Sequence, residues 1–247
     1  MAKLSETKFD LIHGALKAKI EKLLVNSTSF EDASQKFVEM FYEEFKESIV
    51  LVRIFGTVPF KQLPAFNQNF VTKLATAKGV ASELKNNTLV LSLFGTHGIR
   101  AEWNNRKNSQ GHIGIPMVSS KFIEAIPMMS RLMKQIGIKL DWFDEKDINI
   151  VIKKVANLSG VFYVADAKNE VDQQGRKVIS AQDFVTANNV RTVFGLGGMY
   201  INKMFTTMIC FTKESIDKSV IESFLSVISF FMAATAEVIL NDKLFLS

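Results

Sequence analysis

The residues best equipped for chemistry are concentrated in one stretch, FGTHGIRAEWNNRKNSQGHIGIP, from Phe94 to Pro116. It gathers His97 and His112, two of the three histidines of the chain, with Arg100, Arg106, Lys107, Trp103 and four glycines. Arginine presents a planar fork matched to a carboxylate or a phosphate. Histidine donates or accepts near neutral pH, and Trp103 offers a flat apolar face with one N–H donor. Arg100, Trp103, Arg106, His112 and His97 are therefore candidate ligand-binding residues. The same set suits a structural role, with the arginines tying down loop carbonyls and Trp103 plugging the end of a sheet. Long polar loops in compact domains are often functional, so both readings stand.

Spacing disposes of several other chemistries. His97, Glu102 and His112 match neither HExxH nor a zinc knuckle, and no cysteine joins them. No metal is expected. The single cysteine, Cys210, excludes an intramolecular disulfide and suits a reducing compartment. Within TTMICF it reads as a small buried hydrophobe. The chain lacks GxSxG and places no histidine beside Cys210 in sequence, so nothing favours a serine or cysteine hydrolase. FGLGGM (Phe194–Met199) is neither GxGxxG nor a P-loop, and its glycines read as a bulge or a close backbone crossing. The carboxylates of DAKNE and AQDFV are isolated, whereas acid–base catalysis needs two held near one substrate. No catalytic residue and no cofactor is assigned, and a non-enzymatic protein is expected.

The composition sets the frame for these residues. The chain has 247 residues, 47% of them hydrophobic, with 21 phenylalanines against 3 tyrosines. Phenylalanine has no polar end to satisfy, so most should be core and a minority can line an apolar pocket or an interface. The net charge is +5, but its tightest basic groups, Arg100–Arg106–Lys107 and Lys153–Lys154, are small. That predicts a solvated, mildly basic surface and no nucleic-acid partner. MAKLSETKFD has charges where a signal peptide needs its apolar core. The longest uncharged run, Ser223–Ala236, is too short to span a bilayer. A cytoplasmic protein with no transmembrane segment is expected.

The elements that must position the loop follow from periodicity. Leu4–Leu24 reads as an amphipathic helix, and Ser29 with Asp32 caps a second that carries Phe30, Phe37, Phe41 and Phe45 to about Glu47. SIVLVRIFGT (Ser48–Thr57) is a short β-branched strand. Pro64 opens a helix ending before Gly79, and Thr88–Gly95 is a strand. A helix begins at Ser119 or Ser120 and reaches Gly137, with Pro127 predicting a kink or a late start. Asp144–Leu158 reads as a helix and Gly160–Ala167 as a strand. Asn189–Met199 and Lys203–Thr212 form a hairpin, and Lys213–Leu240 is a closing helix. Its two apolar stripes demand a second contact, with the N-terminal helices or with another subunit. The strands do not alternate strictly with helices, so a mainly antiparallel sheet is expected rather than a doubly wound parallel one.

The run GIRAEWNNRKNSQGHIGIP, followed by SSKFIEAIPMMSRLMKQIG, FYVADA, SAQDFV and VRTVFGLGGM, resembles a GAF-like sensory region. Such regions accompany histidine kinases and other multidomain bacterial signalling proteins, and the resemblance spans roughly Val50 to Thr212. It implies an α+β, GAF/PAS-like architecture: a central antiparallel sheet, helices on one face, and loops closing a small-molecule pocket on the other. With the pattern along the chain, the expected layout is a helical N-terminal extension (1–47) before a GAF-like domain (48–247) that ends in a long C-terminal helix. By this resemblance the protein is a sensory domain for an unknown small-molecule ligand. Its output is a partner protein or a homodimer, because nothing after Leu240 reads as a kinase or cyclase. Haem held by a histidine is a minor variant. The alternatives are a pocketless scaffold, with aromatic side chains filling the space beneath the loop, and an unrecognised enzyme. If the loop recognises a ligand, Arg100→Ala and Arg106→Ala should weaken binding more than they lower the melting temperature.

Overall fold

In the computed structural model the described residues are 2–144 and 159–246, apart from Phe9 and Gln110. The expected helix over Asp144–Leu158 lies outside them except for its first residue. The described strands are β1 (Ile49–Pro59), β2 (Leu89–Gly98), β3 (Gly114–Pro116), β4 (Ser159–Val164), β5 (Val193–Met199) and β6 (Phe205–Thr212). They form one sheet in the order β3-β2-β1-β6-β5-β4, and every neighbouring pair is antiparallel. The fold is α+β, with helices on both faces of the sheet.

Several helices begin where the sequence supplies a start signal. After a 3-10 turn (Leu4–Glu6) and a π-helical stretch (Leu11–Leu16), α1 spans Lys17–Leu24. In α2 (Phe30–Glu44) the Ser29 hydroxyl accepts from the Asp32 amide at 3.1 Å, and the Asp32 carboxylate accepts from the Thr28 amide at 3.0 Å. That reciprocal cap satisfies amides the helix cannot reach. Helix α3 (Ala65–Ala77) follows Pro64. Pro127 does not kink one helix but separates two, α4 (Ser120–Glu124) and α5 (Pro127–Gln135). It stands in the first turn of α5, where its missing N–H costs nothing, and Ile126 before it is extended. Helix α6 (Gln182–Ala187) was not foreseen, because AQDFV is too short to show a period. The closing segment starts at Lys218 and is divided at Phe224 into α7 (Lys218–Ser223) and α8 (Leu225–Leu240).

Period-two alternation sends β1 side chains to opposite cores. Val52, Ile54 and Val58 join a core with Leu4, Ile20, Phe30, Phe37, Phe41, Phe231 and Ile239, so the first 47 residues share their packing with the sheet and α8. Here α2 lies between sheet and closing helix: Phe30 meets Phe94 at 4.8 Å and Phe37 meets Phe231 at 4.7 Å between ring centroids. Helix α1 packs against α8, with the His13 ring edge-on to Phe230, so the second stripe of the closing helix meets the same chain. The Lys218–Leu240 stretch is long and apolar enough by length and composition to cross a membrane, which the count of uncharged residues alone did not suggest. In this fold it buries Val227, Ile228, Phe231, Thr235 and Ile239. Leu51 and Phe55, on the other face of β1, join Leu93, Ile115, Ile123, Met129 and Leu132 beneath α4 and α5.

Candidate functional site

The histidine- and arginine-bearing stretch spans both cores. Strand β2 runs on to Gly98, so His97 sits on the strand rather than in the loop. Two 3-10 turns follow, Ala101–Trp103 and Arg106–Asn108, before β3 returns beside β2. Side-chain amides fix the connection: Asn104 Oδ1 accepts from the Gly98 amide and Asn105 Oδ1 from the Lys107 amide, each at 2.9 Å.

The five candidates then separate. Arg106 is buried, and its Nε and Nη2 donate to the two oxygens of Glu31 while Nη1 donates to Asn67 Oδ1 at 3.1 Å. Its guanidinium also lies over the Phe245 ring. Arg100 is exposed, stacked over Trp103 at 5.2 Å and 3.9 Å from a Glu102 oxygen. Trp103 is half-buried against Phe184, with centroids 5.5 Å apart. His97 lies against the Tyr42 ring at 4.8 Å, and its buried Nδ1 has no hydrogen-bond partner. Desolvation lowers its pKa, partly offset by the charges of Glu39 and Glu43. His112, at the far end of the loop, lines a cavity on the opposite face from Glu31 and Phe245.

That cavity, of about 70 Å³, lies between the sheet and α5. Its wall is formed by Phe55 of β1, Leu91 of β2, Ile115 of β3, Ile209 and Phe211 of β6, and Ile126, Met128, Met129 and Leu132 around α5. Among the described residues only two polar side chains line it, Arg53 and His112. Arg53 comes from the middle of β1, between Leu51 and Phe55 on the same face and across from Ile209 of β6. No carboxylate, carbonyl or ring among the described residues pairs with it, and its Nε is buried without a partner. Burial lowers its pKa to about 10, so it remains charged at neutral pH. Arg53 is only half-buried and just its Nε is both buried and unpartnered, so the cost of the unpaired charge is smaller than that of a fully buried guanidinium. Around His112, desolvation and then the Arg53 charge lower the pKa towards about 4. Because the residue is also open to solvent at the rim, water offsets part of that shift. At neutral pH the imidazole is uncharged, able to donate from one nitrogen and accept at the other.

Arg53 was missed in the sequence, although a signal was there: it is the one charged residue in the strand IVLVRIFGTVP. Two wider clefts are less suggestive. One of about 360 Å³ is lined by Asp166, Lys168, Asn169 and Arg191, and it stands half open. The other, of about 310 Å³, carries Arg131 and Arg176, already paired with Glu170 and Asp172. Among the described residues no three His, Cys, Asp or Glu side chains group to hold a metal ion. Cys210 is buried on β6, and its apolar surroundings push the thiol pKa up.

No family model matches the sequence, and no curated protein matches it. Among solved structures, the fold is similar to the GAF domain of an Acinetobacter phosphoenolpyruvate-protein phosphotransferase, at 11% identity and a TM-score of 0.44, covering 96% of this chain and 98% of that one. It is also similar to the phycoerythrobilin-bound GAF domain of a cyanobacterial phytochrome, at 9% identity and a TM-score of 0.47, covering 96% and 99%. A third GAF domain shares 9% identity at a TM-score of 0.45, covering 100% of this chain and 94% of that one. The architecture of the protein is a central antiparallel sheet with flanking helices and a long closing helix.

Proposed function

We propose that the protein is a non-enzymatic sensory domain that binds a small molecule in the cavity between the sheet and α5. The observation that carries this reading is Arg53, a charge with no partner among the described residues, facing a space that is apolar apart from His112. A chain gains nothing in stability from such a charge, whereas a ligand that pairs with it recovers the desolvation cost on binding. His112 brings the end of the loop to the same space, which gives the loop a part in closing the site. In this reading Arg106 fastens the loop, and Arg100 with Trp103 covers its outer surface.

Ligand state would pass through the sheet to α8, whose Ser229, Ala233 and Glu237 face outward and are available to a partner protein or a second copy. We also place the protein in the cytoplasm and treat residues 1–47 as a helical extension of the sensory body. Native mass spectrometry and thermal shift across a metabolite library test the central claim. A ligand that raises the melting temperature of the protein but not of a Leu91→Trp variant, whose cavity is filled, supports it. No bound mass and no thermal shift across the library would favour a scaffold instead.

A further inference from the structure

We propose that the ligand is a short aliphatic monocarboxylate, its carboxylate on the Arg53 guanidinium and His112 and its hydrocarbon tail against Phe55, Leu91, Met129 and Leu132. This rests on the cavity being the binding site. Three observations select the class. First, among the described residues the only charge in the cavity is a guanidinium with its Nε unpartnered, and its fork matches the two oxygens of a planar carboxylate. A phosphate dianion would need further cationic or N–H donors, and among the described residues the wall offers none besides His112.

Second, the rest of the wall formed by the described residues is aliphatic and aromatic, with no hydroxyl, amide or carboxylate to meet an amino or hydroxyl group on the tail. An amino acid or hydroxy acid would leave such a group unpaired, which is how polar sites reject mismatched ligands. Third, a volume of about 70 Å³ holds roughly five water-sized positions. That admits a carboxylate with a tail of a few carbons and excludes a long fatty acid lying wholly inside. Met128 and Met129 form part of the wall, and methionine adapts readily to branched or linear tails.

The test is calorimetric titration of the full chain with 3-methylbutanoate and butanoate, with their amides, with inorganic phosphate and with dodecanoate. The two short acids are expected to bind, and the amides to bind about ten- to a hundredfold more weakly, the loss of a charged hydrogen-bond pair. Arg53→Met should abolish the preference for acid over amide, while Arg53→Lys should retain part of it. Circular dichroism of both variants establishes that they fold, and Leu91→Trp supplies an independent block of the cavity that leaves Arg53 in place. Equal binding of acids and amides, unaffected by Arg53→Met but lost in Leu91→Trp, would overturn the carboxylate assignment and leave the cavity as a site. Phosphate or dodecanoate binding in preference to the short acids would overturn it as well. Binding that persists in both Arg53→Met and Leu91→Trp would place the ligand elsewhere and overturn both proposals.

Discussion

Arg106 holds Glu31 at two points, Nη2 to Oε2 at 2.9 Å and Nε to Oε1 at 2.5 Å, with both side chains almost fully buried. The same Glu31 Oε2 accepts from the Leu246 amide at 3.1 Å, and Arg106 Nη1 reaches Asn67, whose amide donates to Ser92 on β2. One ion pair thus joins the loop, α2, α3 and the end of the chain. Breaking one side of a buried pair costs about 3–5 kcal/mol, because the remaining charge stays in place. Arg106→Ala is expected to lower the melting temperature by roughly 10 °C. Replacing both partners, in Arg106→Met with Glu31→Leu, should recover part of that loss. An unchanged melting temperature in Arg106→Ala would show that the pair does not brace the fold.

Arg100 makes the opposite case. Its side chain is about half exposed, and it stacks over Trp103 at the surface. Arg100→Ala should change stability by no more than about 0.5 kcal/mol, as for most surface substitutions. Trp103→Ala should cost more, because Trp103 also packs on Phe184 and covers the backbone at Gly98. Chemical denaturation of the two variants in parallel measures the difference. A larger loss for Arg100→Ala would show that the cation, and not the indole, holds this end of the loop.

The strands were largely legible because burial imposes strong patterns on them. SIVLVRIFGT and the pair around Tyr200–Asn202 show β-branched runs and turn chemistry, and β1, β5 and β6 lie there. The extension of β2 through His97 and Gly98 was hidden, since glycine and histidine interrupt the apolar alternation that marks a strand. Arg106 and Arg100 look alike in sequence, and only tertiary structure tells which of them meets Glu31, 75 residues away. The loop concentrates the reactive residue types, whereas Arg53 is a single charge in an apolar strand. No local spacing encodes that.

The histidines make stability depend on pH in a definable direction. His97 and His112 both have lowered pKa values in the fold, so between about pH 4 and 6.5 the unfolded chain binds more protons than the native one. Stability therefore rises with pH across that window and is lost as pH falls below 6.5. Desolvation is the main cause at both rings, with the Arg53 charge adding to it at His112 and Glu39 and Glu43 opposing it at His97. Melting temperatures at pH 7 and pH 5 should differ less in His112→Gln than in the unaltered protein. An identical pH dependence would show that water at the rim removes the His112 shift. In that case His97 and the acidic side chains would carry the whole effect.

Gly95 sets how closely α2 approaches the sheet. A Cβ there would lie 2.5 Å from the Ser34 carbonyl oxygen and 3.0 Å from the Gln35 nitrogen, both backbone atoms of α2 that cannot rotate away. Just beyond, the Gln35 side-chain amide is clamped to β2, accepting from the Thr96 amide at 3.2 Å and donating to its carbonyl at 3.1 Å. A methyl group at Gly95 must therefore push the helix off the strand and stretch that clamp together with the Phe30–Phe94 contact. Gly95→Ala is expected to cost about 1–3 kcal/mol, as overpacking does. Gly111→Ala, with nothing within 4 Å of the new carbon, provides the control and should fall within about 0.5 kcal/mol of the parent. Equal effects of the two substitutions in denaturant titrations would mean that α2 floats over β2. Faster amide exchange at Thr96 in Gly95→Ala would locate the damage at the helix–strand contact.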